Sequence, residues 1–178
     1  MKYLGLMHYY LGLEVWQGLD EIYLGQGKYV IEMLKRFDIM HCKPMTTPTI
    51  TNLKRLRSSE SSPVDPSKYR QLIGSLMYLV NTRPDICFAV NILSQFQVES
   101  KQGHLLATKH ILRYLQGTIN YCLKYDRRND VQLIGYTDSD WGGSEQDGRG
   151  ITGGCFSLGS SMVSCMSRKQ ESVALSSV

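Results

Sequence analysis

The sequence is short of several things, and each shortage excludes a class of protein. Its five cysteines (Cys42, Cys87, Cys122, Cys155, Cys165) form no CxxC pair and no zinc-ligand spacing. An odd number of thiols, several of them in apolar runs, fits a reducing interior rather than a disulfide framework. No apolar run approaches the ~20 residues of a membrane helix, and no secretory leader precedes the first strand-like segment. The expectation is an intracellular protein without a membrane partner, with cytoplasm and nucleus both open. There is no internal repeat and no long low-complexity tract. Acid is nearly absent from 101–128, where Lys101, Lys109, Arg113, Lys124, Arg127 and Arg128 stand against Asp126 alone. The next stretch reverses the sign, with Asp130, Asp138, Asp140, Glu145 and Asp147 and no base. A basic segment beside an acidic one fits a polyanion bound near a metal, and equally two solvated faces.

What is present is an ordinary globular composition, 42% apolar with a formal charge of +4. Apolar residues alternate from Tyr9 through Leu11 and Leu13 to Val15, Gly18-Leu-Asp-Glu21 supplies turn residues, and Ile22-Tyr-Leu24 returns, which reads as a hairpin. Tyr29, Val30, Met33, Leu34 and Phe37 recur at helical spacing. From 41 to 65 periodicity is lost among Pro44, Pro48 and Pro63, which predicts a mobile crossing loop. Asp65-Pro66 then opens a helix with the stripe Tyr69, Leu72, Ile73, Leu76, Met77 and Val80. Two more helices follow, over 85–96 and 101–116, the second stopped by Gly117. Beyond it the period becomes two. Tyr121, Leu123 and Tyr125 predict a strand turning back at 127–130 onto a strand at 131–138, and two short strands follow within 155–166.

The 131–138 strand ends in Thr137-Asp-Ser-Asp-Trp141. Carboxylates at a strand end are costly unless something charged meets them, and a common occupant is Mg²⁺ held between carboxylates and substrate phosphates. Asp138 and Asp140 are therefore candidates for metal-dependent phosphate chemistry. The competing reading is an Asp-rich turn capping its own backbone.

Eight stretches in order carry a resemblance: Tyr10-Leu-Gly-Leu-Glu-Val15, Tyr29 to Leu34, Cys42-Lys-Pro44, Tyr69-Arg-Gln-Leu-Ile-Gly74, Thr82-Arg-Pro-Asp85 with Phe88-Ala-Val-Asn91, Ile111-Leu-Arg-Tyr-Leu-Gln-Gly-Thr118, Gly135-Tyr-Thr-Asp-Ser-Asp-Trp141, and Ser167-Arg-Lys-Gln170. Together they resemble the Pol polyprotein of copia-type long-terminal-repeat retrotransposons over nearly the whole chain. The resemblance implies the end of a reverse transcriptase at 1–62, with a primer-grip-like hairpin, helix and linker. It implies a helical thumb or connection-like unit at 63–118 and the truncated start of a ribonuclease H-like domain at 119–178. The fold class implied is α+β: an N-terminal β-hairpin plus a helical thumb-like unit, followed by a truncated ribonuclease H-like mixed sheet. Three antiparallel strands of that sheet are expected within 131–167.

Roles follow from the same resemblance. Arg70, Gly74 and Tyr78 share a helix face, and in such polymerases that face enters the minor groove of template–primer. The bland alternative makes Gly74 a helix-packing residue and Tyr78 core. Lys109 and Arg113, four apart, add phosphate contacts. Asp138 matches the first catalytic, Mg²⁺-anchoring carboxylate of ribonuclease H. The chain departs from the family in lacking the polymerase Tyr-x-Asp-Asp pair and most ribonuclease H carboxylates, and Cys165 stands where tryptophan is usual. The leading expectation is a catalytically incomplete fragment that still binds duplex or RNA–DNA hybrid. The alternatives are a segment of a working Pol polyprotein, completed by its other parts, and a domesticated nucleic-acid-binding module.

Overall fold

A computed structural model describes residues 5–50, 61–128, 131–139 and 149–173. Among them are seven strands and four α-helices, mixed as the sequence predicts. The chain opens with β1 (Tyr9–Tyr10), β2 (Leu13–Gln17) and β3 (Glu21–Gly25), followed by α1 (Gly27–Arg36). The expected continuous strand from Tyr9 to Val15 is instead a tight hairpin. Leu11 and Gly12 both take positive φ, 48° and 80°, and Tyr10 pairs with Leu13. Two consecutive left-handed residues make a primed turn, whose twist suits antiparallel strands. Glycine adopts it freely and leucine does not. The second hairpin forms where expected, with Gln17 opposite Ile22 and the Gly18 amide bonded to the Glu21 carbonyl.

Asp65 caps α2 (Pro66–Leu79) through the Ser67 amide at 2.9 Å, with proline at the first helical position. The expected 85–96 helix is a single 3-10 turn over Pro84–Ile86 running into the shorter α3 (Cys87–Ser94). The helix α4 (Gln102–Gly117) completes the set. Their apolar stripes meet in one core of Tyr69, Leu72, Ile73, Leu76, Ile86, Val90, Leu93, Ile111, Leu112 and Leu115. Val30, Met33 and Leu34 of α1 lie in the same cluster, so the first helix shares the core of the later three.

The first half of the predicted loop is not free. Cys42, Met45 and Ile50 pack against the core, the Met45 amide bonds to the Arg113 carbonyl, and the His110 ring bonds to the Thr47 carbonyl. Its composition is that of a linker, but these apolar anchors fasten it to α4. Its second half, 51–60, lies outside the described residues.

The strand after α4 also departs from expectation. β4 (Leu123–Asp126) does not form a hairpin with the next strand; it pairs antiparallel with β3, Glu21 opposite Asp126 and Leu24 opposite Leu123. The first sheet is thus β1-β2-β3-β4, closed by a strand from the far side of the helices. β5 (Leu133–Ser139), β6 (Ile151–Leu158) and β7 (Ser161–Lys169) make a second sheet in that order. The three antiparallel strands expected over 131–167 form, and both described ladders are antiparallel, so the mixed pairing implied by the resemblance is not present among the described residues. The turn between β6 and β7 docks on the first sheet, where Ser160 Oγ accepts from the Asp126 amide at 2.8 Å. None of the described helices is long and apolar enough to cross a membrane.

Candidate functional site

The candidate residues lie on three elements. On α2, Tyr69, Leu72, Ile73 and Leu76 face inward, so Arg70 and Gly74, one turn apart, face solvent. A Cβ added at Gly74 would meet nothing within 4 Å. This glycine therefore serves no packing within the described residues. A mid-helix glycine costs ~1 kcal/mol relative to alanine, and no contact among the described residues offsets that cost.

Tyr78 is placed differently. Its ring meets Tyr29 edge-on, centroids 5.0 Å apart, and its hydroxyl donates to the Leu11 carbonyl. A Cβ at Gly12 would stand 2.8 Å from that hydroxyl, so glycine is required there for space as well as for φ. Tyr78 braces the β1–β2 turn against α2. It is neither a free stacking platform nor a fully buried core residue.

On α4, Lys109 is exposed, while Arg113 is half-buried and donates from Nε to the Lys43 carbonyl at 2.7 Å. The basic segment is partly neutralised elsewhere too. Lys124 pairs with Glu21 at 2.6 Å, and Arg128 lies 3.4 Å from Asp126. Hydrogen bonding and charge from Lys124 hold the Glu21 carboxyl below its ordinary value.

Asp138 lies on β5, exposed, opposite Gly153 of β6. Asp140 and Trp141 lie outside the described residues. No group of three or more His, Cys, Asp or Glu gathers to hold a metal among the described residues. Among the described residues Asp138 stands without further carboxylates beside it, whereas a pair of magnesium ions needs several oxygen ligands at once.

Sequence reasoning missed a densely hydrogen-bonded polar cluster at the end of α4. Arg83, 3% exposed, donates to both Asp85 oxygens at 3.0 and 2.7 Å. It also donates to the carbonyl and hydroxyl of Thr118, at 2.9 and 2.7 Å. The Tyr114 hydroxyl donates to Asp85 at 2.7 Å. Burial pushes the Asp85 carboxyl up, but Arg83 and then Tyr114 outweigh it and hold the carboxyl below its ordinary range. Burial, then the adjoining Asp85, raises the Tyr114 phenol. The cluster ties Thr82-Arg-Pro-Asp85 to the Gly117-Thr118 end of α4, two of the stretches that carry the resemblance. The available signal was an arginine and an aspartate flanking a proline, which in the sequence carries only the resemblance.

The chain is 40% identical over 171 residues to a retrovirus-related Pol polyprotein from transposon RE1 of Arabidopsis thaliana, covering 96% of this chain and 12% of that polyprotein. It is 37% identical over 177 residues to an uncharacterized mitochondrial protein of the same plant, of which it covers 73%.

The chain belongs to the copia-type retrotransposon Pol family.

A third relative, the Pol polyprotein of transposon TNT 1-94 from Nicotiana tabacum, is 35% identical over 185 residues, which span 99% of this chain and 14% of that polyprotein. The chain therefore corresponds to a small part of the Pol polyproteins it matches. No protein-family model and no solved structure matches it. As a Pol segment it retains an arginine and an unfilled glycine on one helix face, and an aspartate whose metal-holding partners are not among the described residues.

Proposed function

We propose that this Pol segment is the end of a reverse transcriptase joined to the start of a ribonuclease H, and that it binds the template–primer or an RNA–DNA hybrid without catalysing a reaction by itself. The observation that carries the reading is Gly74. An exposed mid-helix glycine with open space above it, one turn from Arg70, suits a backbone that something outside the chain must approach closely. A duplex groove flanked by phosphates is such a partner. Lys109 adds exposed positive charge, whereas Arg113 acts chiefly by holding the 43–47 segment. Affinity is then modest and dominated by phosphates, so it is strongly salt-dependent and nearly indifferent to base sequence.

The test is a titration of the full chain against a short RNA–DNA hybrid at several salt concentrations. Gly74→Leu fills the open space, and it is expected to weaken binding at every salt while leaving the unfolding midpoint unchanged or higher. Arg70→Ala is expected to flatten the salt slope by about one unit. A folded Gly74→Leu chain that binds like wild type overturns the reading.

A second reading is favoured by the small share of the relatives' length that the chain represents: it works inside a longer Pol polyprotein. In that setting Asp138 is one of several magnesium-holding carboxylates. The isolated chain is expected to leave hybrid RNA uncut, and a version extended through the following sequence to cut it in a manner abolished by Asp138→Asn. Cutting by the isolated chain would contradict the fragment reading.

A further inference from the structure

β6 and β7 are adjacent antiparallel strands whose register sets Cys155 opposite Cys165. Their sulfurs are 2.8 Å apart, one thiol hydrogen-bonded to the other. Directly opposed antiparallel residues have Cα atoms about 4.5–5.5 Å apart, inside the roughly 4.4–6.8 Å range that disulfides span. Closure therefore asks for side-chain rotation and little backbone movement. Both side chains are half-buried, between the fully exposed and the sealed extremes. The nearby Cys87 is occupied otherwise: it is buried on α3, and Asn91 donates to its sulfur at 3.2 Å.

We propose that Cys155 and Cys165 form a redox-convertible pair, closing to a cross-strand disulfide under a two-electron oxidant of the hydroperoxide class. The Cys155 thiolate attacks one peroxide oxygen, the O–O bond breaks, and the departing hydroxide takes up a proton as water. The Cys165 sulfur then attacks the resulting sulfenic sulfur. The S–O bond breaks, and hydroxide leaves as water with the Cys165 proton. Two thiols and one hydrogen peroxide become one disulfide and two waters. Burial, then the adjoining Cys155, pushes the Cys165 thiol up to about 12, which disfavours it as the thiolate that opens on peroxide. The bond would pin the middle strand of the second sheet to its outer neighbour.

The test treats the full folded chain with hydrogen peroxide, alkylates free thiols with iodoacetamide and digests with trypsin. Both cysteines fall in the peptide between Arg149 and Arg168, which has no internal cleavage site. That peptide is expected to lose two hydrogens in mass and take up no alkyl group, and to accept two after dithiothreitol. The closure is expected to be several-fold faster in the folded chain than in urea, and unchanged in Cys87→Ser. Cys165→Ser should leave a Cys155 sulfenic acid that dimedone traps. Double alkylation of the peptide after peroxide, equal rates folded and unfolded, or a dominant Cys87–Cys155 link would each overturn the proposal.

Discussion

Arg83 shows how one side chain can hold two distant segments together. Its four hydrogen bonds go to residues on either side of α3 and α4, and its guanidinium is buried while its partner Asp85 stays partly open to solvent. Removing the carboxylate leaves the buried guanidinium less compensated, but solvent at Asp85 screens the loss, so Asp85→Asn is expected to cost about 1–3 kcal/mol, read as a lower urea midpoint. The same pair sets a pH dependence. The folded Asp85 carboxyl titrates below its unfolded value, so its contribution is complete above the unfolded pKa and is lost as pH falls through the folded one. Acid titration of stability should therefore be shallower in Asp85→Asn than in the wild type. Gly74 gives the opposite result at the same scale. Gly74→Ala is expected to raise stability by ~1 kcal/mol, because the methyl enters open space. A lower midpoint in that variant would mean that α2 meets something the fold does not display.

Among the longer described elements, β5 alone is exposed along its whole length. Every residue of Leu133–Ser139 is exposed, Leu133 by 69% and Tyr136 by 61%, and the strand sits at the edge of its sheet. An exposed apolar edge strand invites pairing with another chain. Tyr136→Lys is expected to lower self-association, measured by light scattering at fixed concentration, and no change would place the association surface elsewhere. Amides of 133–139 should also exchange faster than those of α4, whose apolar face is sealed. These elements also show what the sequence reveals. The helices were legible because Tyr69, Leu72, Ile73 and Leu76 repeat at i, i+3, i+4 and i+7, a spacing that builds one buried face on a helix. The strand carrying Asp138 was equally legible, from alternation ending in turn residues. Its partners were not, because alternation identifies a strand without saying which strand it meets. Residues 123–126 accordingly pair with 21–24 and not with the strand next in sequence. The Leu11–Gly12 turn was hidden for a related reason: leucine replaces the Asn or Asp that usually marks such a turn. What holds it lies far away in sequence, at Tyr78.

At the scale of the whole molecule, the helices and the first sheet depend on each other through β4. The Lys124–Glu21 ion pair and the β3–β4 ladder bind the chain after α4 to the hairpin before α1. A chain ending at Arg128 is expected to unfold cooperatively with its helical circular dichroism intact. One ending at Ile119 loses β4 and should show a lower urea midpoint and a broader transition. Equal midpoints would mean that the core alone sets the stability.

That ladder also imposes an order in time. Its two strands are roughly a hundred residues apart in sequence, and long-range strand pairing waits on the chain between. During synthesis the hairpin emerges ahead of α1 to α4 and stands with its β3 edge bare while the ribosome makes those helices. Until Leu123–Asp126 has cleared the exit, every nascent copy on a shared message offers the same open edge to its neighbours.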